Sequence, residues 1–302
     1  MNSMLKQPSV LLWLCAFLMW AGLAPAIAKD LVQRDTPALW KVQGARGTVY
    51  LLGSIHVMRP EVEWRSPAVD RALRDARLVV FETDLAQAQN PDVLDPLITR
   101  HALLPNGQTL KSVIPTTTYA ELERTSGDLG LPVESLSNMR PWFVAMLLSL
   151  QSITKLGFDP NNGVDLQVYN WAVANKKKMG ALETLEVQIK MLSELTREQE
   201  NELLLATLTQ ARELPTMMND MMTAYRRGDA MQLDKLINSS MDPYPDVRAR
   251  VLKDRNDKWL PQVEGMLKEE GTHLIVVGVA HLVGRDSLVT LLRAKGFKVE
   301  GP

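Results

Sequence analysis

Cysteine is almost absent from this sequence of 302 residues, in which Cys15 is the only one. A single thiol excludes a disulfide framework within the chain and a zinc site built from several thiolates. A surplus of charge of one sign is also lacking, since 34 basic and 35 acidic side chains nearly balance. Proteins that bind nucleic acid usually carry a basic surplus, so we predict no nucleic-acid partner.

Long hydrophobic runs are limited to the N-terminus. After Lys6 no charged residue occurs until position 29, and Val10–Leu23 is almost wholly apolar. The segment ends in Ala26-Ile27-Ala28, which has the small-x-small spacing of a cleavage site. These features are typical of a secretory signal peptide, so we expect cleavage after Ala28 and export to the periplasm or the medium. The alternative is an uncleaved anchor, which would be the one association with a membrane.

The pattern of apolar residues predicts strands at both ends of the remaining chain. Leu39–Val42 and Thr48–Leu52 flank a turn-rich Gly44–Gly47 and predict a hairpin. A helix from Ser66 and a strand at Leu78–Glu82 follow, in the manner of a βαβ unit.

The chain from about Pro91 to Gly271 is predicted to be mostly helical, and a second strand–helix–strand unit begins with the apolar run Leu274–Val277. The predicted fold class is therefore α/β, of an α+β-like kind, with a mixed sheet formed by the N- and C-terminal segments and a large helical insertion. Because two remote ends complete one sheet, we expect residues 29–302 to form a single domain.

A tetrapeptide pattern occurs twice after an apolar strand. Gly53-Ser54-Ile55-His56 follows the predicted strand of the hairpin, and Gly278-Val279-Ala280-His281 follows the apolar run near the C-terminus. Ligands of α/β sheets bind where strands end, and glycine there permits a sharp turn or a close approach of the backbone. The two GxxH motifs therefore predict one shared site in which His56 and His281 bind a metal ion or move a proton. The alternative is that each histidine is an ordinary core or surface residue.

A carboxylate is predicted at the same edge of the sheet. Glu82 ends the second strand of the βαβ unit and is placed beside His56, whereas Asp84 is expected to cap or pair locally. Two imidazoles and one carboxylate are a ligand set for zinc, manganese, cobalt or iron that leaves positions open for water and substrate. We therefore predict His56, Glu82 and His281 as ligands of a divalent metal ion, whose identity the set does not select.

Two further histidines and a methionine cluster complete the set of candidate residues. His273 is expected to serve strand entry, and His101 is expected to lie in a loop. Met217, Met218, Met221 and Met222 form pairs one helical turn apart. Such a cluster indicates either an adaptable interface between helices or a Cu(I) site of thioethers.

Several motifs together resemble one known family, the TraB/GumN family. It is related to the animal Tiki proteins and to a wider group with erythromycin-esterase-like and haem-binding ChaN-like members. The motifs that carry the resemblance are Gly53–His56, Glu82–Asp84, Asn138–Trp142, Gly163–Asp165, Leu182–Thr184 with Gln188, Arg255-Asn256 with Trp259, and Gly278–Leu282 with Gly284.

The resemblance implies an α/β fold with both GxxH histidines at one site and a divalent-metal-dependent hydrolase. Tiki proteins are taken to be manganese- or cobalt-dependent proteases that trim an extracellular signal. By position, His56 and His281 would be metal ligands and Glu82 a ligand or the general base, with Arg140 and Glu183 as further catalytic candidates.

The residues leave two interpretations open at several of these positions. Arg140 would either hold a substrate carboxylate or an oxyanion, or form a buried ion pair with Glu183 or Asp165. Arg255 and Asn256 are consistent either with a role at the site or with a polar network that packs a helix. The predicted partner is a peptide or a small-molecule substrate, and the alternative function is a non-catalytic periplasmic protein that sequesters a peptide signal or haem.

Overall fold

The computed structural model describes residues 37–210, 213–238, 241–242 and 244–302. The predicted signal peptide and Cys15 lie outside the described residues. Within the described part of the chain, no helix combines the length and apolar character needed to cross a membrane.

A six-stranded mixed sheet forms the centre of the structure, in the order β4-β3-β5-β2-β1-β6. Its strands are β1 (Leu39–Gln43), β2 (Gly47–Ser54), β3 (Leu78–Phe81), β4 (Lys178–Ala181), β5 (Gly271–Gly278) and β6 (Lys298–Glu300). The hairpin partners β1 and β2 are antiparallel, as are β1 and β6, and the neighbours from β2 across β5 and β3 to β4 are parallel. The predicted α/β class and mixed sheet are thereby confirmed.

The fifth strand, β5, lies in the middle of the sheet. β5 pairs with β2 on one side and with β3 on the other, and its apolar run Leu274–Val277 is fully buried. A strand covered on both faces has no polar side to alternate with, which explains the continuous run of aliphatic residues. The remote end of the chain thus completes the sheet that the hairpin begins.

Helices connect the strands and form most of the remaining described structure. They are α1 (Pro67–Asp75), α2 (Leu85–Ala88), α3 (Pro91–Ala102), α4 (Leu110–Val113), α5 (Thr116–Leu129), α6 (Pro141–Lys155), α7 (Val164–Ala174), α8 (Leu185–Ser193), α9 (Arg197–Gln210), α10 (Leu214–Arg226), α11 (Ala230–Ile237), α12 (Pro245–Arg248), α13 (Asp254–Lys268) and α14 (Leu288–Ala294). A π-helical turn, Ala249–Lys253, joins α12 to α13. The predicted start of α1 is confirmed, because the Ser66 side chain accepts a hydrogen bond from the Val69 amide.

The helical insertion has an apolar core of its own. Leu122 of α5, Val144 and Leu148 of α6 and Leu204 of α9 belong to a cluster separate from the core around the sheet. Helix α6 also contributes Trp142 to the main core, so it is buried on most of its faces. A helix that is apolar almost all round is stable in such a position between two cores.

The prediction for His101 is wrong, because this residue lies in the last turn of α3 and not in a loop. Asn90 caps that helix by accepting from the Asp92 amide, and Pro91 occupies its first turn. These signals begin a helix, and they outweigh the neighbouring prolines that suggested a loop.

Candidate active site at the carboxyl ends of the parallel strands

Four parallel strands end at one edge of the sheet, and each is followed by a polar side chain. In sheet order β4, β3, β5 and β2 precede Glu183, Glu82, His281 and His56. The two GxxH motifs are offset by one residue, since Ser54, the second residue of the first motif, lies opposite Gly278, the first residue of the second. The sheet therefore brings His56, Glu82 and His281 to one place, and Glu183 with them.

Gly278 lies at the centre of this group. Its amide donates to Glu82 Oε1 over 2.6 Å. A Cβ at this position would lie 3.2 Å from Glu82 Oε1, 3.5 Å from His56 Nε2 and 3.8 Å from His281 Cδ2. Any side chain here would fill the space between the three groups, which accounts for glycine in the second motif.

Gly53 has a different role in the first motif. A Cβ there would lie 2.8 Å from the Val279 side chain, so the two motifs pack directly against each other. The Tyr225 hydroxyl from α10 donates to the Gly53 carbonyl over 2.7 Å. The absence of a side chain at Gly53 thus lets two strand ends and one helix meet.

His56 is held by a buried carboxylate. Its Nδ1 lies 3.1 Å from Asp165 Oδ1, which also accepts from the Ser54 hydroxyl over 3.0 Å. Asp165 lies in the first turn of α7, which begins where the Val164 amide donates to the Ile55 carbonyl. The opposite ring atom, His56 Nε2, is buried and has no hydrogen-bond partner among the described residues.

The carboxylates around His56 raise its pKa. Burial by itself lowers the pKa of this imidazole, but the nearby carboxylates of Asp165 and Glu82 outweigh burial and raise the pKa above its ordinary value. The hydrogen bond from Nδ1–H to Asp165 leaves Nε2 as the atom that exchanges a proton or binds a ligand.

His281 is held in its neutral form. Its Nδ1 lies 2.8 Å from Asn256 Oδ1, and Asn256 Nδ2 donates to the Asp286 carbonyl, which fixes the direction of the amide. Nδ1 therefore carries the proton, and Nε2 accepts from Arg255 Nη1 over 2.9 Å. Burial, helped by the charge of Arg255, lowers the pKa of His281 to about 3, so the ring is neutral.

Arg255 connects the other members of the group. Its Nη2 donates to Glu82 Oε2 and to Glu183 Oε1, both over 2.6 Å. The guanidinium also lies 4.6 Å from the centre of the Trp259 ring, which gives it a cation–π contact. The network-forming interpretation of Arg255 and Asn256 fits these contacts, and the network holds both predicted ligands Glu82 and His281.

Glu183 faces the guanidinium from the neighbouring strand end. Its carboxylate accepts from Arg255 Nε and from Trp259 Nε1 over 3.0 and 3.1 Å. Burial raises the pKa of Glu183, and the charge of Arg255 opposes that shift. Its contacts orient Arg255, and through Arg255 they reach Glu82 and His281.

Arg140 lies outside this group. Its guanidinium forms an ion pair with the buried Glu200 of α9 and donates to the His101 carbonyl over 3.2 Å. The predicted pairing with Glu183 or Asp165 is therefore wrong. Arg140 immediately precedes α6, and the packing of that helix against α9 places its side chain beside Glu200.

The contacts of Asp84 and His273 show that both residues have local roles. Asp84 caps α2 by accepting from the Ala86 and Gln87 amides, which confirms its local role. His273 is a fully buried residue of β5 whose Nε2 lies 3.3 Å from Arg77 Nε, away from the candidate site.

The donor set fits a metal ion in chemistry and in tautomer. His56 Nε2 is unpartnered among the described residues, Glu82 lines the same small cavity, and each imidazole is held through Nδ1 by an oxygen, the arrangement of metal-ligating histidines. Among the described residues, no group of three or more such side chains stands ready as a metal site. Arg255 occupies the lone pair of His281 Nε2 and would have to release it for this histidine to bind a metal ion.

The sequence model of the TraB/PrgY/gumN family matches residues 38–301 of the chain. Similar proteins include the metalloprotease TIKI2 of Xenopus tropicalis, 27% identical over 87% of this chain and 59% of its own length. The uncharacterized protein YbaP of Escherichia coli is 27% identical over 81% of this chain and 87% of its own length. An uncharacterized protein of Treponema pallidum is 20% identical over 88% and 83%.

The chain spans about three fifths of the Tiki protein that it matches. No solved structure gives a significant match to it. The sequence thus establishes a distant relation to proteins named metalloproteases.

Proposed function

The chain belongs to the TraB/PrgY/gumN family, and on that basis we propose that it is an exported, divalent-metal-dependent hydrolase of peptide bonds or related amide and ester bonds. In this proposal His56, Glu82 and His281 hold the metal ion. The ion would be manganese, cobalt, zinc or iron, because imidazole and carboxylate suit all of them. The relation to proteins named metalloproteases supports the reaction class.

One observation carries the proposal. The Nε2 atom of His56 is buried without a partner, while its Nδ1 is held by a carboxylate. Leaving a buried ring nitrogen unsatisfied costs free energy, and such an atom calls for an explanation. A ligand that binds this lone pair supplies one.

The remaining residues have roles that follow from their contacts. A bound divalent ion would polarise a carbonyl and lower the pKa of a water molecule. Asp165 keeps the Nε2 lone pair of His56 directed at the site. If Glu82 is not a ligand, its carboxylate acts as the general base that takes a proton. Arg255 supplies positive charge for an oxygen that becomes negative in the transition state, and Glu183 keeps Arg255 in position. We leave Arg140 out of this machinery, because its guanidinium pairs with Glu200, outside the group around His56 and His281.

Metal analysis tests the proposal directly. Wild type, the double variant His56→Ala/His281→Ala and the control His101→Ala are purified without chelator and analysed for metals. We expect about one divalent ion per chain in wild type and in the control, and none in the double variant. If wild type stays empty after incubation with zinc, manganese, cobalt and iron, the proposal fails. Metal binding with Glu82→Gln showing undiminished hydrolysis would exclude Glu82 as the base.

Export is tested by the same preparations. When the full chain is expressed, we expect the recovered protein to begin at Lys29, which its intact mass reports. A recovered protein that retains residues 1–28 and pellets with membranes would favour an uncleaved anchor instead.

A further inference from the structure

A second feature adjoins the candidate site, a partly open apolar cavity. It spans about 580 Å³ of space, part of which is open solvent, and Met218 and Met221 of α10, Ile237 of α11 and Met241 contribute to its wall. At one end it reaches His56 and Gly278. The residues that line it carry no charged side chain apart from the titratable His56.

A smaller cavity also borders His56. It spans about 280 Å³ including open solvent, and its lining combines the polar Glu82, Thr83, Asp165 and Gln188 with the apolar Phe81, Leu85 and Val276. The Thr83 hydroxyl is buried there without a partner among the described residues, like His56 Nε2. His56 thus borders two cavities, the smaller one with the polar groups of the candidate site and the larger, apolar one.

The apolar cavity is not explained by helix packing alone. Protein interiors are close-packed, and voids much larger than a water molecule are few. An apolar void stays dry and takes up an apolar group of matching size. The buried methionines of α10 adapt to such a group, because their unbranched side chains change shape at low cost.

From this arrangement we infer that the substrate carries a large apolar side chain, such as that of Leu, Met or Phe, which enters the methionine-lined cavity beside the bond to be cleaved. The inference rests on the proposed function, since it assigns the substrate of that same site. Seating the apolar group beyond His56 leaves the adjacent carbonyl near His56 Nε2 and the smaller cavity. The methionine cluster then belongs to substrate recognition and not to a copper site.

Peptide binding without metal tests this inference apart from the proposed reaction. The full chain, labelled with ¹³C at the methionine methyl groups, is titrated in EDTA with acetyl-Gly-Gly-Xaa-Gly-Gly-amide, where Xaa is Leu, Met, Phe, Asn or Asp. We expect the Leu, Met and Phe peptides to bind at least about tenfold more tightly than the Asn and Asp peptides. The methyl signals of Met218, Met221 and Met241 should shift on binding.

Two variants test whether the methionines of the cavity set the preference among the peptides. Met221→Ala enlarges the cavity and should shift the preference from Leu towards Phe, whereas Met231→Ala, at a position 83% exposed, should change nothing. Equal binding of the Leu and Asn peptides by wild type, or shifts confined to other methionines, would overturn the inference whether or not Met221→Ala folds. Peptide binding by a protein that never takes up metal would keep the inference about the cavity and reject the proposed reaction.

Discussion

Arg255 Nη1 donates a 2.9 Å hydrogen bond to His281 Nε2, the atom through which that histidine would bind a metal ion. The same guanidinium neutralises Glu82 and Glu183. Arg255 therefore supplies in this structure the positive charge that a metal ion would supply to Glu82 and His281. At His281 Nε2 the guanidinium and a metal ion would compete for one lone pair.

Replacing Arg255 by Leu should destabilise the fold strongly. The change leaves two buried carboxylates without their common cation, and breaking a buried ion pair in this way costs about 3–5 kcal/mol. Urea unfolding measures the difference. Arg285→Leu is the matched control, because Arg285 is 70% exposed and its ion pairs are of the surface kind that contribute little. Equal unfolding midpoints for the two variants would contradict the role assigned to Arg255.

Asp165→Asn should weaken metal binding without removing a metal ligand. The amide no longer attracts the Nδ1 proton as a carboxylate does, so the Nε2 lone pair of His56 is less basic and less well oriented. Loss of such a supporting group lowers metal affinity about 10–100-fold. Competition with a chromophoric chelator measures the affinity. Asp84→Asn at the same edge of the sheet should leave it unchanged, since Asn caps a helix as well as Asp.

The sequence allowed one half of the site to be predicted and not the other. His56, Glu82 and His281 follow strands, and parallel strands bring their carboxyl ends to one edge, so spacing alone predicts that they meet. Arg255 and Asn256 belong to α13, and Asp165 belongs to α7. Which side of a helix faces a strand end depends on packing between remote segments, and the sequence contains no local signal for it.

The partner of Arg140 could not be predicted from the sequence for the same reason. Its position before Pro141 and Trp142 predicts the start of a helix, and α6 does begin there. The partner of its guanidinium depends on how α6 packs against α9, which brings Glu200 to it. In the sequence Glu200 is only one of several acidic residues near the start of α9, so nothing local identifies it as the partner of Arg140.

Arg140→Ala should therefore reduce stability and leave metal binding intact. Glu200 is buried, and removing its cation leaves an unpaired charge, at a cost of roughly 3 kcal/mol. Thermal unfolding and metal content are measured on the same preparation. A folded variant that has lost its metal would return Arg140 to the catalytic candidates.

Gly278→Ala should abolish metal binding while preserving the fold. The backbone of Gly278 has φ −49°, which alanine adopts without strain, so the change acts through space and not through conformation. Its Cβ would lie 3.2 Å from Glu82 Oε1 and 3.5 Å from His56 Nε2, within the volume that an ion shared by those atoms needs.

Gly265→Ala in α13 is the control for Gly278→Ala, because a Cβ there meets nothing within 4 Å and alanine favours a helix. Metal content and circular dichroism are compared for both variants. We expect Gly265→Ala to keep its metal and to unfold at the same or a higher temperature. If Gly278→Ala binds metal as wild type does, the ion does not lie between His56, Glu82 and His281. The unpartnered His56 Nε2 would then have to be explained by a different ligand.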